Sequence, residues 1–143
     1  DTKFEEFDAA LSPDGRWLAY SSNESGQLEL YVRPFPSTST AKWQVSTAGG
    51  AEPHWTRDGR ELLFVSNDGT LTAVQVLPGP TFTMGARQAL FSLQPFVGGV
   101  RSWDVTPDDD RFLMIRIGAG GQAGNELIVV ENLFPELKER GAQ

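Results

Sequence analysis

The 143-residue chain has no cysteine. That excludes disulfides, thiolate metal sites and cysteine nucleophiles, and leaves the redox compartment open. It has one histidine, His54, so a catalytic triad built on an imidazole base could use no other residue. No Gly-x-Ser-x-Gly nucleophile elbow occurs. Positive charge is scarce: 12 Lys and Arg stand against 19 Asp and Glu, a formal net charge of -7. A nucleic-acid partner is therefore not expected, because phosphates would be repelled by the mean field. No apolar run is long enough to span a bilayer. No basic segment followed by an apolar stretch marks a signal peptide at the start. Turn formers, by contrast, are plentiful. The 15 Gly and 9 Pro point to many short elements joined by tight turns, and 39% apolar residues suffice for a core.

The abundant turns are organised as a repeat. Leu11-Ser12-Pro13-Asp14-Gly15-Arg16-Trp17-Leu18-Ala19-Tyr20 aligns without a gap with residues 55–64, from Trp55 to Phe64, and with residues 105–114, from Val105 to Met114. The equivalent aspartates Asp14, Asp58 and Asp108 lie 44 and 50 residues apart, a period that suits a four-stranded β-propeller blade. In each copy an apolar residue ends a strand, Ser or Thr follows, and a tight turn returns the chain to an apolar strand. Pro13 and Pro107 pre-set φ, the aspartates bond back to the turn, and Gly15 and Gly59 supply a positive φ. Asp109 takes the glycine place in the third copy at modest cost.

The expected fold is all-β: about three antiparallel blades over residues 5–47, 50–92 and 99–131, then a short C-terminal helix over 132–140. Further strands are expected at 28–32, 43–46, 71–76, 88–91 and 126–130. The third blade lacks an outer strand, and residues 1–4 are a candidate to supply it. Asn132 and Pro135 fit the start of the helix. Propellers usually hold 4–8 blades, so three do not close a ring. Either blades precede this segment, or two chains form a six-bladed ring as a two-fold homodimer.

Ser12-Pro13-Asp14-Gly15-Arg16 before an apolar strand resembles the Pro-Asp repeat of TolB-like six-bladed propellers. Asn23 to Gly26, Leu30-Tyr31-Val32-Arg33-Pro34-Phe35-Pro36 and Trp43 to Gly50 are similar to the propellers at the C-terminus of bacterial serine/threonine protein kinases. The ending from Glu126 to Lys138 resembles their last blade and closing helix. The resemblance implies a non-catalytic binding or sensor module, attached to a kinase domain absent from these residues and placed on the extracytoplasmic side of a bacterial membrane. Similar propellers gate the hydrolase domain of prolyl oligopeptidase-like peptidases, which makes an accessory gating propeller the alternative. A self-assembling propeller fragment without separate activity is a third reading.

Candidate chemistry is sparse. Gly118-Ala119-Gly120-Gly121-Gln122-Ala123 matches a dinucleotide pattern but leads into a strand, so no helix N-terminus meets a pyrophosphate and a blade loop is the preferred reading. Asp108-Asp109-Asp110 sits in a tight turn from which three carboxylates cannot all turn to one Ca²⁺. Asn23-Glu24-Ser25 fits a glycosylation acceptor, with a plain turn preferred. Trp17, Trp43, Trp55 and Trp103 are expected in the core. No catalytic residue, metal or cofactor is expected. A protein, peptide or small ligand would meet the residues entering the innermost strands, and Glu6, Glu52, His54 and Arg101 are the candidate rim contacts.

Overall fold

The computed structural model describes residues 3–94, 103–109, 111–117 and 125–131. All regular structure among them is β. Residues 1–92 and 93–143 form two compact units.

The first unit holds two four-stranded antiparallel sheets. One runs in chain order through β1 (Glu6–Leu11), β2 (Trp17–Ser22), β3 (Glu29–Pro34) and β4 (Trp43–Gln44). The other runs through β5 (Ala51–Trp55), β6 (Glu61–Val65), β7 (Thr70–Leu77) and β8 (Thr83–Ser92). This up-and-down meander, repeated with the sequence period, is the architecture of a propeller blade. The second unit holds a three-stranded antiparallel sheet of β9 (Trp103–Val105), β10 (Arg111–Ile117) and β11 (Asn125–Glu131), with β10 in the middle. Lys3 and Phe4 form a bend rather than a strand. The expected helix over 132–140 and the loop over 118–124 lie outside the described residues.

The repeated turn forms the same hydrogen-bonded hairpin three times. Gly15 N–H donates to the Ser12 carbonyl at 2.8 Å, Gly59 to Thr56 at 2.9 Å and Asp109 to Thr106 at 2.8 Å. The Ser12, Thr56 and Thr106 hydroxyls donate to Asp14, Asp58 and Asp108 at 2.6, 2.9 and 2.5 Å. Each hydroxyl also accepts from the amide that opens the next strand, Trp17 at 2.9 Å, Glu61 at 3.0 Å and Arg111 at 3.0 Å. A small hydroxyl residue is therefore required beside the turn, since it accepts and donates at once. The turns close with positive φ at Gly15 (70°), Gly59 (68°) and Asp109 (59°).

Alternation along β2 and β3 sends Trp17, Ala19, Leu30 and Val32 to one face, where with Val45 they meet Trp55, Leu62, Phe64 and Val74 of the second sheet in one core. Phe82, from the loop before β8, stands among three indoles: 5.6 Å from Trp17, 5.5 Å from Trp43 and 6.3 Å from Trp55, ring centre to ring centre. The Trp55 indole N–H donates to the Ala10 carbonyl across the sheets at 3.1 Å. Arg16 of the first turn donates to the Gly79 carbonyl of the β7–β8 loop at 2.8 Å. The link between β3, β4 and β5 is held by a buried carboxylate. Glu29 accepts from Gly49 N–H at 3.2 Å, from the Ser46 hydroxyl and from the Gln27 amide.

The equivalent repeat positions are not buried alike, and one sequence expectation changes. Leu11 occupies the repeat position of Trp55 and Val105, which are buried, yet it is 48% exposed. Trp43 is half-buried, whereas Trp17, Trp55 and Trp103 are buried as expected. In the second unit Val105, Phe112 and Met114 are buried with Trp103, whose ring lies 6.3 Å from that of Phe112.

Candidate functional site

The face of the first sheet opposite its core carries a cavity of about 390 Å³. Glu6, Phe7, Asp8 and Ala9 of β1, Leu18 and Tyr20 of β2, Arg33 of β3 and Thr38 of the following loop line it. The β2–β3 register explains its floor. Leu18 pairs with Arg33 and Tyr20 with Tyr31, so these side chains share the face turned away from Ala19 and Val32.

Arg33 is fixed rather than free to sweep. Its Nε donates to the Tyr20 hydroxyl at 2.7 Å and its Nη1 to the Thr38 carbonyl at 2.9 Å. The Tyr20 hydroxyl bond and neighbouring acidic charge raise its pKa against the opposing effect of burial, so it stays cationic. Burial raises the Tyr20 pKa in turn, against the lowering effect of Arg33, so the phenol stays neutral. Tyr20 stacks with Tyr31 at 5.8 Å, and Tyr31 lies under the Lys42 ammonium, which pairs with Glu24 at 2.7 Å. The cavity therefore offers an apolar floor of Leu18, Tyr20 and the 49% exposed Phe7, with a fixed guanidinium on one side and carboxylates from β1 on the other.

The rim candidates separate. Glu6 lines the cavity. Glu52 and His54 lie on β5 in the second sheet, away from the cavity lining. His54 is half-buried and pairs in register with Leu63. Arg101 lies outside the described residues. Glu52 has a feature not visible in the sequence: its φ is 55°, and Asp8, one repeat earlier, has a φ of 52°. Both fall where the pairing register shifts, between Phe7 and Ala10 and between Ala51 and His54. The first strand of both four-stranded sheets thus carries the same bulge with an acidic residue in the left-handed region, at a cost of about 1–2 kcal/mol each. In the first blade this bulge forms the cavity wall. Asp8, Tyr20 and Arg33 are absent from the sequence-based candidates, and the signal for Arg33 was the Arg-Pro-Phe-Pro strand end.

Similarity to known proteins fits this architecture. No protein-family model matches the chain. The uncharacterized protein Atu1656 of Agrobacterium fabrum strain C58 is 28% identical over 113 residues, 73% of this chain. The chain matches 38% of the length of that curated relative. Among solved structures, the oligogalacturonate lyase of Vibrio parahaemolyticus superposes with a TM-score of 0.63 at 16% identity, covering 87% of this chain and 36% of the lyase. The Myceliophteria thermophila Cps50 (Swd1) β-propeller domain gives 0.53 at 14% identity, covering 91% of this chain and 38% of that domain. At such identities the likeness shows the fold. The chain folds as β-propeller blades.

Proposed function

We propose that the chain is a non-catalytic binding or sensor module of the kind joined to bacterial serine/threonine protein kinases, and that it recognises a protein or peptide partner at the cavity on β1–β3. The cavity carries this reading. It joins an apolar floor to a cation held in place by two hydrogen bonds, the composition of a site that orients a partner rather than transforms it. The fixed Arg33 suits an apolar side chain followed by a carboxylate, because its guanidinium is already ordered and loses little entropy on binding. The link to kinases rests on the sequence resemblance, and the cavity cation belongs to the Arg-Pro-Phe-Pro segment that carries it. A kinase core upstream in the parent gene would support the link, and a hydrolase domain downstream would favour the gating propeller.

The test is selection of peptides from a random display library on the immobilised chain, followed by calorimetry. Selected peptides should bind Arg33→Gln at least about tenfold more weakly, the loss of one charged contact. Undiminished affinity for that variant, or no selectable peptide, would refute the reading.

A further inference from the structure

The bulge in β1 sets an anion across the cavity from its cation. Phe7 pairs with Ser21 and Ala10 with Ala19, and the register shifts between them, so Asp8 falls alongside Tyr20. A φ of 52° takes Asp8 out of the regular ladder, and a bulge re-aims the side chain it carries. Asp8 is exposed and lines the cavity. Arg33 reaches the same tyrosine from β3, with Nε on the Tyr20 hydroxyl. Glu6 is the less available carboxylate of the two, since its charge already supports that of Arg33. Glu52 repeats the bulge in the second sheet but lines no part of this cavity. The bulge therefore belongs to the fold, and the cavity gives Asp8 a use.

We infer that the cavity captures the free N-terminus of a peptide: Asp8 receives the α-ammonium, Leu18 and Tyr20 an apolar first side chain, and Arg33 the carboxylate of an acidic second residue. This rests on the reading of the cavity as a peptide site and adds which end of the peptide enters. β1 and β3 flank β2, so their axes lie about 10 Å apart, and the Asp8 and Arg33 side chains narrow that gap. The first two residues of an extended chain, at about 3.5 Å each, match it. An α-ammonium is bonded to the carbon that bears the first side chain. Charge and apolar group thus arrive together, as the anion and the apolar floor stand together here. A lysine ammonium ends a flexible stem and would need its apolar partner from another residue. Arg33 uses Nε on Tyr20 and Nη1 on Thr38, so Nη2 is its donor for the ligand.

Calorimetry tests it, with tetrapeptide amides that begin Leu-Glu, Phe-Glu, Met-Glu or Tyr-Glu, each with a free or an acetylated N-terminus. At least one free peptide should bind, and its acetylated twin at least about tenfold more weakly, the loss of one charged contact. Asp8→Asn should bind the two forms equally, because asparagine tolerates the left-handed conformation and removes only the charge. Equal affinity of the free and acetylated forms for the wild type overturns the inference. So does Arg33-dependent binding of peptides selected from the display library when no free peptide of this set binds. Either result leaves peptide recognition standing, whereas failure of the selected peptides as well removes both. An acetylation effect that persists in Asp8→Asn overturns the role of Asp8. Acetylation alters the ligand alone, so the wild-type comparison decides even if Asp8→Asn fails to fold.

Discussion

Replacing Phe82 by alanine removes the ring around which three indoles are arranged. Phe82 is buried, and its centre lies within 6.3 Å of those of Trp17, Trp43 and Trp55. A buried Phe→Ala change costs about 3–5 kcal/mol, and each aromatic pair adds about 0.5–1.5 kcal/mol beyond burial. Because three pairs are lost and rigid indoles refill the space poorly, a loss of about 4–5 kcal/mol is expected, toward the upper end of the ordinary range. That is a large part of the roughly 5–15 kcal/mol that holds a domain together. The assay is urea unfolding followed by tryptophan emission in a Trp103→Phe background, where the remaining indoles all report on the first unit. With a slope of about 1.5 kcal/mol/M the midpoint should fall by about 3 M, which is enough to leave the variant partly unfolded in buffer. Phe82→Leu keeps much of the volume and should cost clearly less. A loss below about 1 kcal/mol for Phe82→Ala would refute the view that this ring joins the two sheets.

Three further outcomes follow from the same structure. Burial raises the Asp14 pKa, but the Ser12 hydroxyl, the Arg16 amide and the Arg16 guanidinium outweigh it and hold the carboxyl below its ordinary 3.8. Its contribution is present above that unfolded value and lost as pH falls through the folded one, so the wild type should lose more stability between pH 7 and about pH 3 than Asp14→Asn, measured by urea midpoints. Glu29→Ala strands the Gly49 amide and the Ser46 hydroxyl and should cost about 2–4 kcal/mol by thermal or urea melting, with Glu29→Gln costing less. At Gly50 a Cβ would come within 2.8 Å of Leu30 Cβ and onto the Ser46 hydroxyl, so Gly50→Ala should lower stability by about 1–3 kcal/mol in the same assay.

The repeat and its turns were legible because their chemistry is local. Ser or Thr, then Asp, then a residue of positive φ sit within four positions, and Asp109 takes the left-handed conformation expected of its place. The burial of Trp55 and Trp103 followed from strand alternation. Contacts set by packing were not legible. Phe82 sits in a Gly79-Pro80-Thr81 loop, where no periodicity marks a core residue. The strand β8 spans Thr83–Ser92, longer than the expected 88–91, because most of its residues are exposed and carry no apolar alternation. The bulges at Asp8 and Glu52 are hidden because neither is glycine. Glu6 lines the cavity, whose floor and fixed cation come from Tyr20 and Arg33, brought together by the β2–β3 register from 13 positions apart.

The proposed recognition belongs to the Leu18–Tyr20 face of the first sheet and not to the general surface. The direct measurement is the affinity of one selected peptide for the wild type, Leu18→Lys and Leu77→Lys, the last an exposed site on β7 outside the cavity lining. A loss of about 30-fold or more is expected for Leu18→Lys and no change for Leu77→Lys. Equal affinities for all three would contradict it.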